Sequence, residues 1–206
     1  MNKLVPQFSE VDVEILKREK GFDSFLRIDQ LQLKHRLCDG GWSETINREL
    51  AVRPEAVGVL LFDPVRDEIV LVRQFRVGTL SEESSPWILE LVAGMVDKDE
   101  SLESVALRET REESNCEIVE LTRICDYYNS PGVSDEKVTL FCGKIDSSNA
   151  GGVFGLAEEH EDIEVVVLAH SEAQQAVEAG IINNAMSIIA LQWLALNKEK
   201  VVRNWQ

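Results

Sequence analysis

Apolar and polar residues alternate along residues 11–17 (VDVEILK) and 25–37 (FLRIDQLQLKHRL), the period-two pattern of strands with one face exposed. Cys38-Asp39-Gly40-Gly41 reads as a turn, and residues 44–52 read as a further short strand. These segments predict a small antiparallel β-module over residues 1–54, followed by a main domain over residues 55–206. In the main domain, residues 56–62 (AVGVLLF) and 69–74 (IVLVRQ) read as strands. The turn Asp63-Pro64-Val65-Arg66-Asp67 joins them as a hairpin. More strands are predicted at 87–92, 118–127, 138–145 and 163–168. Ser171, with Gln174 in the capping-box position, starts a helix that Gly180 stops. Residues 184–197 (NAMSIIALQWLALN) form a second helix with broad apolar cover. Strands with helices packed on both faces predict an α/β fold, an α/β/α sandwich around a mixed sheet.

One segment follows a different rule. Residues 94–116 run from a glycine turn into a helix carrying Arg108, Glu109, Glu112 and Glu113. At about 100° per residue, the three glutamates share a face with Leu102, Val105 and Ala106. An apolar stripe faces the interior, so its carboxylates should be drawn toward a cleft. A solvated acidic face is the competing reading, and the phase of the apolar residues argues against it. Like charges at i, i+3 and i+4 repel, so a cluster of this kind beside a core calls for a cation. Oxygen ligands without histidine or cysteine suit Mg²⁺ or Mn²⁺ rather than zinc.

Composition narrows the field. At 206 residues and 44% hydrophobic, the chain can bury one full core and a small extra module. With 37 acidic against 21 basic residues, its net charge of −16 disfavours nucleic acid and anionic membranes as partners. That charge also opposes a phosphorylated substrate at long range, so individual arginines near the site gain importance. No apolar run is long enough for a membrane span and no signal-peptide layout opens the chain, which predicts a cytoplasmic protein. Cys38, Cys116, Cys125 and Cys142 lack C-x-x-C spacing and read as small buried thiols rather than disulfides or a metal site. An acidic loop over residues 146–161, ending Glu158-Glu159-His160-Glu161, could supply a base beside the metal cluster.

The helical segment resembles the Nudix box, G-x5-E-x7-R-E-U-x-E-E-x-G-U. Gly94, Glu100, Arg108, Glu109, Glu112 and Glu113 fill six fixed positions in register. Thr110 departs from the usual aliphatic residue, and Asn115 replaces the second glycine. That second site asks for left-handed backbone, which Asn tolerates next best after Gly. Beyond the box, Arg73-Gln74-Phe75-Arg76, the run Trp87 through Gly94, Ser130-Pro131-Gly132 and the loop 155–163 are similar to ADP-ribose pyrophosphatases of the Nudix family.

The resemblance implies hydrolysis of ADP-ribose to AMP and ribose 5-phosphate with two or more Mg²⁺ ions, Mn²⁺ being possible. It assigns the backbone carbonyl of Ala93 and the carboxylates of Glu109, Glu112, Glu113 and Glu161 to the metals, with Glu112 alternatively held by Arg108. Glu159 takes the role of general base. Arg76 is assigned to the diphosphate and Glu136 to the terminal ribose. Phe25 and Arg48 fall on the adenosine side, and Glu49, Met95 and Ser130 complete the substrate contacts. The resemblance further implies a homodimer in which the N-terminal module is swapped. Hydrolysis of another nucleoside diphosphate-sugar, such as GDP-mannose, and non-catalytic ADP-ribose binding are the alternatives.

Overall fold

The computed structural model describes residues 4–80, 85–97, 99–156, 158 and 160–206. The chain divides into two compact units, one made of the residues up to Arg53 together with Tyr128–Glu136, the other of Pro54–Tyr127 and Lys137–Gln206.

The first unit is a three-stranded antiparallel sheet of β1 (Val13–Asp23), β2 (Arg27–His35) and β3 (Ile46–Val52), in that order. All eleven residues of β1 are exposed, including Val13, Ile15, Leu16 and Phe22. The only fully buried charge in this sheet is Asp29, which accepts hydrogen bonds from Arg18 Nε at 2.6 Å and from both Nε and Nη2 of Arg27. A residue this buried carries a charge only when paired in this way.

In the second unit an eight-stranded sheet runs β10-β11-β5-β4-β9-β8, with β6 and β7 pairing off that path. Its centre is β4 (Ala56–Asp63), antiparallel to β5 (Glu68–Phe75) and parallel to β9 (Lys137–Lys144). The rest are β6 (Trp87–Glu90), β7 (Val92–Met95), β8 (Glu120–Tyr128), β10 (Gly152–Phe154) and β11 (Ile163–Ala169). Both faces of the sheet are apolar and both are covered. Leu60, Phe62, Ile69, Leu71 and Leu140 pack with Leu191 and Leu194 of α3 (Ala185–Asn204) and Ala173 of α2 (His170–Glu178). On the other face Val57, Val59, Val70, Val72 and Phe141 pack with Val105 and Ala106 of α1 (Leu102–Ser114). Helices on both sides of a mixed sheet make the expected α/β/α sandwich. No described helix is long and apolar enough to cross a membrane.

Four local expectations change. Residues 87–92 are not one strand: β6 pairs with β5 and β7 with β4, so the chain changes partner at Leu91. Helix α2 starts at His170 rather than after a Ser171 cap. Glu172 accepts from the Ala169 N–H at 2.9 Å, while Gln174 donates to the Leu191 carbonyl. Gly180 does end that helix, at φ +72°. Helix α3 continues past residue 197 to Asn204, and the glycine-rich loop after residue 146 contains the short strand β10. All four cysteines are free, and Cys38 is exposed where the others are buried or half-buried.

Candidate active site

Helix α1 is built to hold its carboxylates still. Ser101 caps it by accepting from the Ser104 N–H at 3.1 Å, and Asn115 closes it in the left-handed conformation at φ 53°. Thr110, which departs from the usual aliphatic residue, lies within the buried stripe of the helix. It is fully buried, and its hydroxyl donates to the Ala106 carbonyl at 2.7 Å, so the core accepts a threonine by returning its polar atom to the helix. Glu113 is buried as well and accepts from the Ala93 N–H at 3.1 Å, which ties the helix to β7.

Arg108 organises the remaining acids. Its Nε and Nη2 donate to the two oxygens of Glu100, at 3.2 and 3.0 Å. Nη1 donates to Glu109 at 2.8 Å and to Glu112 at 3.0 Å. Glu112 is therefore held by Arg108. With three carboxylates around it, Arg108 is held more firmly in its charged form, Glu100 being the largest cause.

Close approach explains the glycine at position 94. A Cβ added there would lie 1.8 Å from Oε1, 2.0 Å from Cδ and 2.4 Å from Cγ of Glu109. Only a residue without a side chain lets the backbone of β7 pass so near this carboxylate.

From the opposite side comes the loop after β10. The Gly155 N–H donates to the carbonyl of Glu112 at 3.3 Å. Glu161 accepts from the Leu156 N–H at 3.1 Å, folding its carboxylate back over its own loop. Gly155, at φ +102°, permits that fold, since a Cβ there would meet the Cβ of Glu161 at 2.6 Å.

Electrostatics bind these groups into one site. Burial raises the Glu109 carboxyl to about 7 against the opposing pull of Arg108, and the charges of Glu112 and Glu161 push it the same way. Burial also lifts Glu113 well above the usual carboxylate range; the Ala93 N–H and Arg76 oppose the rise, and Glu109 and Glu161 reinforce it. Glu109, Glu113 and Glu161 thus feel one another's charge although they come from two segments.

Among the described residues, no three acidic, histidine or cysteine side chains stand close enough to grip a metal ion as they are arranged. The donor set still fits a hard divalent cation, because it is all oxygen and its charge is under-compensated by Arg108 alone. Turning Glu109 and Glu161 away from their hydrogen bonds to Arg108 and Leu156 would free the ligands.

Arg76 follows β5, on the sheet face that carries α1. Its Nε donates to Glu90 at 2.6 Å, and Glu90 is buried. Engaging Nε in this way leaves the two Nη atoms of a half-exposed guanidinium available for an anion. Glu90 was not anticipated from the sequence. Its only signal was a charge in an otherwise apolar strand. Met95, at the end of β7, is exposed. Glu159 lies outside the described residues, and His160 beside it is exposed at φ 57°.

In the first unit the remaining candidates fall on two features. Arg48 and Glu49 line a concavity of about 560 Å³ with Lys17, Gln30 and Val133. Arg48 donates to the Asn47 carbonyl at 2.8 Å. Phe25 is 86% exposed and lies 5.8 Å from the guanidinium of Arg53. Arg53 also pairs with Glu136 at 3.5 Å, and Glu136 accepts from Asn129 Nδ2 at 2.7 Å. The exposed Ser130 accepts at its carbonyl from the N–H groups of Val133 and Ser134. Arg53 and Asn129 are additions that sequence reasoning missed, since neither stands in a motif.

Comparison with known proteins identifies the family. The NUDIX domain model matches residues 52–197. The chain is 40% identical over 205 residues to an ADP-ribose pyrophosphatase of Haemophilus influenzae, covering 98% of this chain and 94% of the relative. It is 33% identical over 150 residues to a GDP-mannose pyrophosphatase of Cronobacter sakazakii, covering 72% of this chain and 78% of the relative. In structure it resembles a crystal structure of an ADP compounds hydrolase at a TM-score of 0.70 and 22% identity, over 92% of this chain and 96% of that one, which shows a shared fold. With its box carboxylates all present, the chain belongs to the NUDIX family and is a hydrolase of that family.

Proposed function

We propose that the protein hydrolyses the diphosphate bond of ADP-ribose to AMP and ribose 5-phosphate, with divalent cations, Mg²⁺ or Mn²⁺, as cofactor. The observation that carries this reading is the approach of the loop bearing Glu161 to the helix bearing Glu109 and Glu113, through the Gly155 N–H on the Glu112 carbonyl, on the side of Arg76, whose Nη atoms make no hydrogen bond among the described residues. The near-full-length likeness to an ADP-ribose pyrophosphatase points to the substrate.

Glu109, Glu113 and Glu161, with the Ala93 carbonyl and with Glu112 once it is released from Arg108, would hold two or more ions. Bound there, such ions neutralise developing charge on the diphosphate and make a coordinated water more acidic. Arg76 anchors the diphosphate, and Glu90 fixes the angle of its guanidinium. Glu159 takes the proton of the attacking water. Phe25 and Arg48, with Glu49, hold the adenosine side. Glu136 receives the terminal ribose, and Met95 and Ser130 add substrate contacts. Arg53 joins this set through its contacts with Phe25 and Glu136.

The chain acts as a homodimer that exchanges its N-terminal module (residues 1–54, beside the hydrolase domain 55–206), because a fully exposed β1 bearing Ile15, Leu16 and Phe22 asks for cover. We place it in the cytoplasm, in keeping with its four free cysteines.

Incubation with ADP-ribose and Mg²⁺, with products resolved by chromatography, tests the activity. AMP and ribose 5-phosphate should form, and a chelator should abolish them. A parallel series of ADP-glucose, GDP-mannose and NADH tests the base and sugar. Faster turnover of GDP-mannose would replace ADP-ribose as the substrate while leaving the chemistry in place.

A further inference from the structure

Among the described residues, the amide nitrogen of Gln74 is a buried donor without a hydrogen-bond partner. The residue is 6% exposed, and no described atom lies within hydrogen-bonding reach of its Nε2. Its place in β5 gives this meaning. Ile69 and Leu71 face the layer of α2 and α3, whereas Val70 and Val72 pack with Val105 and Ala106 of α1. Gln74 and Arg76 follow Val72 at two-residue steps, and the backbone at Arg76 is still extended. Both therefore lie on the face of α1. Across the strand pair, Glu90 is in register with Val72, and Ile88 with Gln74. Gln74 is thus bracketed by the Arg76–Glu90 pair on the sheet face that carries Glu113.

An unsatisfied buried amide destabilises the free protein, and an apolar residue of the same size would remove that penalty. A donor kept at a stability disadvantage, next to an arginine whose Nη atoms make no hydrogen bond among the described residues, fits a group whose partner arrives with the substrate. We propose that Gln74 is a further substrate-binding residue, donating from Nε2 to a diphosphate oxygen alongside the Nη atoms of Arg76. Rotation about the outer torsion of its own side chain swings the amide toward the anion, with no movement of the sheet. The hydrogen bond is charge-assisted, because a neutral amide meets an anionic oxygen.

This inference rests on the reading of the substrate as a diphosphate, though not on which sugar or base it carries. The test is Gln74→Met, which keeps the volume and removes the donor, compared with wild type in the presence of Mg²⁺. Calorimetry with a methylene-bridged, non-hydrolysable ADP-ribose analogue should show affinity lower by at least about tenfold, as loss of a bond to a charged group predicts. KM should rise in proportion with kcat within about threefold, and Tm should be equal or higher. Unchanged affinity and KM would overturn the proposal, and a fall in Tm with unchanged binding would make Gln74 a structural residue. Should wild type prefer another diphosphate-sugar, the same comparison is made with that ligand's analogue, and only the ADP-ribose reading fails. A wild type that binds and cleaves no diphosphate refutes both.

Discussion

Replacing Gly94 with alanine separates the geometry of the site from its stability. The new methyl carbon would fall 2.4 Å from Cγ of Glu109 and nearer still to its carboxylate. Because the clash begins at Cγ, turning the carboxylate about its outer bond gives no relief. The whole side chain must leave its rotamer and its 2.8 Å bond to Arg108. An off-rotamer side chain costs about 1 kcal/mol, and an exchanged charged hydrogen bond costs about as much. Against this, removing a glycine from the strand β7 stabilises by about 0.4–1 kcal/mol through the unfolded chain. The net loss is about 1 kcal/mol, a fall in Tm of roughly 2–4 °C. Turnover should fall far more, by about a hundredfold or greater, because displacing a catalytic group by an ångström is that damaging. Activity against ADP-ribose and thermal unfolding, measured on the same preparation, report both quantities. A double variant supplies the sharper check: Gly94→Ala added to Glu109→Gln should cost little beyond Glu109→Gln alone, since both act on one carboxylate. Activity within tenfold of wild type for Gly94→Ala, or additive losses in the double variant, would refute the close packing of β7 on Glu109.

Three further outcomes are expected. Asp63, buried at the end of β4, is held below the usual carboxylate range: burial opposes ionisation, but the N–H groups of Ser147, Arg66 and Val65 and the Ser147 hydroxyl outweigh it. Its stabilising effect is complete above the unfolded pKa of about 3.9 and fades as pH falls below that. Asp63→Ala should cost about 3 kcal/mol at neutral pH, through stranded backbone donors, and flatten the acid limb of a Tm-against-pH profile; an unaltered acid limb would contradict the assignment. Glu159→Gln should lower kcat by orders of magnitude with KM nearly constant, and a rise in KM at constant kcat would remove Glu159 as the base. Phe25→Ala, which deletes an exposed ring and its contact with Arg53, should leave Tm within about 2 °C while raising KM for ADP-ribose; an unchanged KM would take Phe25 out of the substrate site.

The box was legible because fixed spacing on one helix dictates which side chains share a face. Val105 and Ala106 bury with Leu102 half-buried beside them, and Glu109, Glu112 and Glu113 follow on the same stripe. Asn115 was legible for a similar reason, since a helix end asks for left-handed backbone whatever lies beyond it. Partnerships across the sheet were not legible. Glu90 meets Arg76 only because β6 pairs with β5, and the run at residues 87–95 gives no warning that it changes partner at Leu91. Arg53 joins Glu136 across a long stretch of chain, and Asn129 joins it across a local loop seven residues long, where no motif marks either contact. Thr110 read as a blemish in the motif because sequence shows its hydroxyl but not the Ala106 carbonyl that receives it.

The parallel pairing of β4 with β9 has a consequence for how the enzyme comes into being. Two parallel neighbours cannot be joined by a tight turn, and here the intervening chain holds β5, β6, β7, α1 and β8. Everything that carries the box is threaded inside that long excursion. Ordering of the excursion waits for a contact between distant segments, a slow event in chain collapse. During renaturation, recovery of hydrolysis should therefore trail the return of helical circular dichroism, making catalysis the last property the nascent molecule acquires.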